Sequence, residues 1–164
     1  MFNRILLAVD NSGAGPVTVT YAGALARQSG ALVRVVHVNE LLVGGRGFAA
    51  ETEGEAMAVV DDAVAALGAA GVQADGVHFL ANCFTTANRI VEAAHEWGAD
   101  VIMVGSTRRR FLRRSLGKGL RERITSLTCL PVLTGPAPLR VAGHLRVADL
   151  TGQPADTTRV ESIV

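Results

Sequence analysis

Residues 92–106 read EAAHEWGADVIMVGS. Just upstream and into this stretch, Ile90, Ala93, Ala94 and Trp97 recur at three- and four-residue steps, which predicts the inward stripe of a helix. Gly98 is placed to end that helix, and Thr85 or Thr86 to cap its start. VIMV (101–104) is then continuous and apolar, the mark of a strand covered on both faces, and Gly105 stops it. A helix, a buried strand and a glycine turn in quick succession make an α/β unit.

The unit recurs along the chain. ILLAV (5–9) is as apolar as VIMV, and Asp10, Asn11, Ser12, Gly13 and Gly15 follow as a loop before Pro16, which suits a first helical turn. Ala22, Leu25, Ala26 and Ser29 give that helix a small-residue face, closed by Gly30. ALVRVVHV (31–38) predicts a second strand, and residues 39–50, with glycines at 44, 45 and 47, a loop long enough to cover a ligand. Met57, Val60, Val64 and Leu67 predict the buried stripe of the next helix, which Gly71 ends. Residues 72–80 read as a shorter, more polar strand at an edge; 116–127 read as a helix and LPVLT (130–134) as a fifth strand. Pro131 cannot donate to a ladder, so that strand begins there or lies at an edge. Strand and helix alternate through five units, which favours parallel pairing in a three-layer α/β/α sandwich.

At 164 residues the chain fits one domain. Hydrophobic residues at 49% and charged residues at 19% place it among globular rather than disordered sequences. Residues 1–135 form the expected domain; 136–164 read as a C-terminal extension, with LRV at 139–141 and 145–147 suggesting a small hairpin and the end a loose tail. Cys83 and Cys129 make neither a disulfide framework nor a metal-ligand spacing and read as packing residues. No apolar run approaches the roughly 18–20 residues needed to cross a bilayer, and the short apolar start does not suit a signal peptide. The expectation is a cytoplasmic protein without a membrane partner.

Net charge is +1, yet charge is unevenly spread. Eight of the sixteen basic residues, Arg108, Arg109, Arg110, Arg113, Arg114, Lys118, Arg121 and Arg123, share a window holding one acid, Glu122. In an open parallel sheet, ligands collect beyond the carboxyl ends of the strands. With 5–9 and 101–104 side by side, Asp10 and the Val104–Gly105 end open on one crevice, where Ser106 and Thr107 add hydroxyls. Gly117 and Gly119 can offer amides at a helix start, where the dipole favours phosphate. The cluster therefore reads either as a polyphosphate cradle or as a solvated surface. Neither GxxxxGK[ST] nor GxGxxG is present. His37, His78, His95 and His144 are scattered and read as structural, and no nucleophile–base set converges, so no catalytic residue is expected. With aromatics at 4% and a near-neutral total, nucleic acid is a poor partner.

ILLAVD with NSG (5–13), VVHV (35–38), EAAHEWGADVIMVGS (92–106) and SLGKGLRERITSLTCLPVLT (115–134) together resemble the universal stress protein family. The resemblance implies the adenine nucleotide alpha hydrolase-like fold, a five-stranded parallel sheet in the order 3-2-1-4-5. It also implies a homodimer through the fifth strand's edge and a role in stress adaptation, with slow ATP hydrolysis at most. Members that bind ATP, with Mg2+ accompanying the nucleotide, resemble one another in a glycine, two residues, a second glycine, nine residues, then glycine and a hydroxyl residue. Gly105 matches the first glycine, Arg108 replaces the second, and Gly117–Lys118 replaces the final pair one residue early. By the same resemblance Asp10 and the backbone near Ala8 and Val38 would contact adenine, and Gly105 the ribose side. Arg108 can either strengthen a phosphate contact by its charge or fill the space a glycine leaves open. The alternative function is a nucleotide-free dimer that docks protein partners on the arginine-rich loop.

Overall fold

The computed structural model describes residues 1–11, 15–42, 48–106 and 119–136. In chain order these form β1 (Arg4–Val9), α1 (Gly15–Ser29), β2 (Leu32–Leu42), β3 (Phe48–Ala49), α2 (Glu53–Ala69), β4 (Ala74–Asn82), α3 (Thr86–Trp97), β5 (Val101–Val104), α4 (Leu120–Leu127) and β6 (Val132–Thr134). The expected hairpin and tail beyond residue 136 lie outside the described residues.

Five strands run parallel in the order β4-β2-β1-β5-β6, the expected 3-2-1-4-5. The two strands read as most apolar are central neighbours, with Ala8 in register with Val104 on one side and Val36 on the other. One element was not expected. β2 continues to Leu42, and β3 pairs antiparallel with its end, Leu41 opposite Ala49. Because β4 occupies the other side of β2 as far as Leu41, β3 lies on the β1 side, beyond the point where β1 stops at Val9. Thus part of the expected 39–50 loop is a short strap over the end of β1.

Side-chain alternation divides the core into two layers. Ile5, Leu7 and Val9 face α1 and α2; Leu6, Ala8, Ile102 and Val104 face α3 and α4. The α2 stripe differs from expectation at two positions: Ala56, Val60, Ala63 and Leu67 are buried, Val64 is half-buried against the same layer, and Met57 is 47% exposed. Small residues take the inward positions because α2 packs hard on β4. A Cβ at Gly76 would stand 2.3 Å from a Val60 methyl, so this glycine permits close approach.

The Gly98–Asp100 segment quoted above proves to be a register device. Gly98 adopts the left-handed conformation, φ 70°, and its amide returns to the last turn of α3. Ala99 is buried, and the Asp100 carboxylate accepts the amides of Asn3 (2.7 Å) and Arg4 (3.2 Å), which seats the start of β1 beside β5. Trp97 lies between Arg4 and Arg34, whose guanidinium carbons sit 5.7 and 5.0 Å from its ring centre. Arg34 also pairs with Asp75, whose carboxylate holds the guanidinium pKa above its ordinary value.

Helix ends follow their sequence signals with one correction. Thr52 and Glu55 form a reciprocal cap on α2, and hydrogen bonds from Thr52 hold the Glu55 carboxyl below the usual carboxylate range. At α3, Thr85 occupies the cap position without a side-chain cap bond; Asn82 orders the turn before it, accepting the amides of Phe84 and Thr85 at 3.0 Å. Cys129 is exposed rather than packed, and both cysteines are free thiols. Pro131 stands just ahead of edge strand β6, where its carbonyl accepts from the Ile102 amide. No helix among the described residues is long and apolar enough to cross a membrane.

Candidate functional site

The connections that leave β1 and β5 turn to opposite faces of the sheet, which leaves a notch at the carboxyl ends of β1, β2 and β5. Its floor on the α3/α4 face is apolar: Ala8 and Val104 are buried in register with each other, and Val38 packs on the same layer. Beside Val38, Phe79 occupies the matching position on β4, with Arg89 stacked 4.4 Å over its ring. Asp10 stands half-buried at the end of β1. Gly15, the first residue of α1, comes so near that a Cβ there would lie 3.1 Å from the Asp10 carbonyl. A side chain there would require the Asp10 carbonyl to shift by a few tenths of an ångström.

β2 gives the notch an open edge. Its last partner in β1 opposes His37 and its first partner in β3 opposes Leu41, so Val38 to Glu40 face the gap between the two. Glu40 uses its carbonyl to accept the Ala50 amide at 2.8 Å. The stretch around Val38 is where a planar, hydrogen-bonding ring could meet main chain.

Gly105 and Ser106 are half-buried at the end of β5. The Ser106 hydroxyl donates to the Pro136 carbonyl at 3.1 Å, and the Gly135 amide donates to the Val104 carbonyl at 2.8 Å. The chain leaving β6 therefore folds back on this rim. Gly135 is buried so tightly against Thr18 that a Cβ would stand 2.7 Å from its hydroxyl.

Helix α4 must run back between two parallel strands, so its first turn lies on the same side of the sheet as the notch. Arg123 confirms the placement by donating to the carbonyls of Cys83 (2.6 Å) and Phe84 in the β4–α3 turn. Gly119, expected to offer a phosphate its amide, donates instead to the Glu122 carboxylate at 3.0 Å. In this structure the chain's own carboxylate satisfies the helix start. Arg108, Gly117 and Lys118 lie outside the described residues. Among the described residues, no group of three or more His, Cys, Asp or Glu side chains is placed to hold a metal.

Sequence reading missed the polar layer behind the notch. His37 is 3% exposed and contacts the Val9 carbonyl through Nδ1 (3.0 Å) and Glu51 through Nε2 (2.6 Å). Asn39, also buried, donates to the Glu51 carbonyl (2.7 Å) and accepts the Glu51 amide (3.1 Å). The signal was available: two polar side chains two residues apart on one face of a buried strand demand partners. Their partner, fourteen residues from His37 in an irregular stretch, could not be named from spacing.

A doubly wound parallel sheet with helices on both faces defines the three-layer α/β/α class of protein. The universal stress protein family model matches residues 1–133, and the chain belongs to that family. A family member from Burkholderia pseudomallei superposes with a TM-score of 0.64 at 25% identity, covering 82% of this chain and 96% of its own. The universal stress protein from Archaeoglobus fulgidus in complex with dAMP superposes at 0.61 and 26% identity, covering 82% and 98%. A family protein from Arabidopsis thaliana with AMP bound, at 13% identity and a TM-score of 0.56 over 80% and 90%, shares the fold. No curated protein matches the chain.

Proposed function

We propose that this protein binds an adenine nucleotide in the notch between β1, β2 and β5, and works as a stress-response binding module. The observation that carries the reading is the apolar floor of Ala8, Val38 and Val104 beside the open β2 edge, with Asp10 and Gly105 at its two rims. A flat base needs such a floor and a main-chain edge for its hydrogen bonds. Support comes also from the dAMP complex of the Archaeoglobus protein, similar to this chain over nearly its whole own length.

In this reading Asp10 takes ribose or adenine hydroxyl and amino groups, Gly105 lets the sugar approach, and the phosphates point toward Ser106 and the start of α4. ATP is the nucleotide implied by the family resemblance, with Mg2+ arriving on its phosphates. The local chemistry favours fewer phosphates: Glu122 puts a negative charge at Gly119, where a second or third phosphate would look for an amide. The same feature supports the alternative of a nucleotide-free partner-docking dimer if no phosphate displaces that carboxylate. Dimerisation is proposed through the edge of β6, which among the described residues is paired on one side only, with Val132 and Leu133 half-buried. Cytoplasmic location belongs to the proposal as well.

Calorimetric titration with AMP and with ATP tests the reading. Saturable binding by the wild type, lost in Gly105→Val, is expected. No heat with either nucleotide at millimolar concentration would defeat it and leave the partner-docking alternative.

A further inference from the structure

The strap formed by β3, Ala50 and Glu51 lies directly beyond the end of β1 and walls the notch on one side. Ala49 and Ala50 are exposed and anchor it little. Its hydrogen bonds are specific. The Ala50 amide reaches the Glu40 carbonyl, Asn39 clamps the Glu51 backbone from both sides, and the Glu51 side chain reaches His37.

The last contact carries a proton requirement. A carbonyl oxygen only accepts, so His37 Nδ1, 3.0 Å from the Val9 carbonyl, bears a hydrogen. Nε2 then faces a Glu51 carboxylate oxygen at 2.6 Å. Two lone pairs do not sit at that separation, so one further proton lies between them, on the imidazole or on the carboxyl. With it the contact is a charge-assisted hydrogen bond in a buried setting. Without it a single hydrogen remains for two acceptors, the Val9 carbonyl and the Glu51 carboxylate; held on Nδ1, it leaves a bare Nε2 opposite the carboxylate and the contact turns repulsive.

We propose that His37 and Glu51 are positioning residues that hold the β3 strap against the notch through this one shared proton, so that the notch loses a wall when the proton leaves. The inference rests on the nucleotide reading for what the wall serves, but the latch itself can be observed without ligand. Other titratable or charged groups around the pair, among the described residues, come from each neighbouring element. They are Asp10 after β1, Glu40 on β2, half-buried His78 in register with His37 on β4, and Glu53 and Glu55 at the start of α2. The one charged residue of α1, Arg27, is in its last turn. His78 shares a sheet face with His37, so its protonation would oppose the latch and must be removed separately.

Glutamine at position 51 discriminates, because its amide donates to a neutral Nε2 and keeps the strap closed without the extra proton. Backbone exchange at Ala50 and Glu51, expressed as protection relative to the unstructured chain, reports the strap directly. In the wild type and in His78→Gln, protection is expected to fall at least about tenfold between about pH 6 and about pH 9; in Glu51→Gln it should stay level. Level protection in the wild type, or an equal fall in Glu51→Gln, overturns the proposal. Should Glu51→Gln fail to fold, ring 15N shifts of His37 in the wild type decide: Nε2 must lose its proton in step with the loss of protection while Nδ1 keeps its own, and loss of protection without that step overturns the latch. AMP affinity measured over the same range should fall in parallel. Affinity that holds while protection falls removes the positioning role, whereas no AMP binding at any pH is a failure of the nucleotide reading, and the latch is then judged on exchange alone.

Discussion

Glu122 supplies from within the chain the negative charge that the start of α4 would otherwise take from a ligand. A carboxylate there is favourable to the helix and unfavourable to phosphate, by a few tenths to about 1 kcal/mol either way. Glu122→Gln keeps an oxygen for the Gly119 amide and removes the charge. The expected outcome is an affinity for ATP raised about two- to fivefold, with AMP nearly unchanged. Equal titration curves for wild type and variant would show that the phosphates lie elsewhere. At this scale Asp10, Val104 and Gly105 were legible from the sequence, because they end the two most apolar strands. Glu51 was not, since nothing in its local pattern says that a histidine on another strand awaits it.

Among elements, the contact of α2 with β4 is the most sharply specified. Val60 and Val64 close over Gly76, leaving no room for a side chain. Gly76→Val should therefore destabilise the fold by about 1–3 kcal/mol through overpacking, read as a lower midpoint in urea with an unchanged slope. An unaltered midpoint would mean that the two layers separate more easily than their packing implies. Glu55 gives a second test. Its carboxyl is held below the ordinary range by Thr52, first through the Thr52 backbone amide and then through its hydroxyl. A depressed folded-state value stabilises above the unfolded-state value, and that support is lost as pH falls through the folded one. The start of α2 should thus fray on acidification below the usual carboxylate range, and Glu55→Gln should remove that dependence, as followed by amide exchange at Ala56. Periodicity revealed α2 but misplaced Met57, because the true stripe is built from alanines that a hydrophobic pattern underweights. β3 was hidden for a related reason: a two-residue strand has no period, and its pairing depends on how far β2 outruns β1.

For the whole molecule, alternation already implied the layers and the parallel pairing, since two continuous apolar strands must be covered on both faces, while the strand order came only with the family resemblance. Among the described residues, β4 and β6 are the outer parallel strands. A dimer through β6 predicts that Val132→Lys gives monomers by sedimentation while the fold and the notch persist; dimers that survive the change would place the interface elsewhere. The central claim is narrower, that the carboxyl ends of β1, β2 and β5 form one adenine-nucleotide site. The most direct measurement is a backbone amide NMR titration with AMP. It should shift Asp10, Val38 and Gly105 together, along one binding curve, and leave the outer face of α4 at Arg121, Thr125 and Ser126 still. Amides at the strand ends that stay fixed to millimolar AMP, or shifts confined to α4, would contradict it.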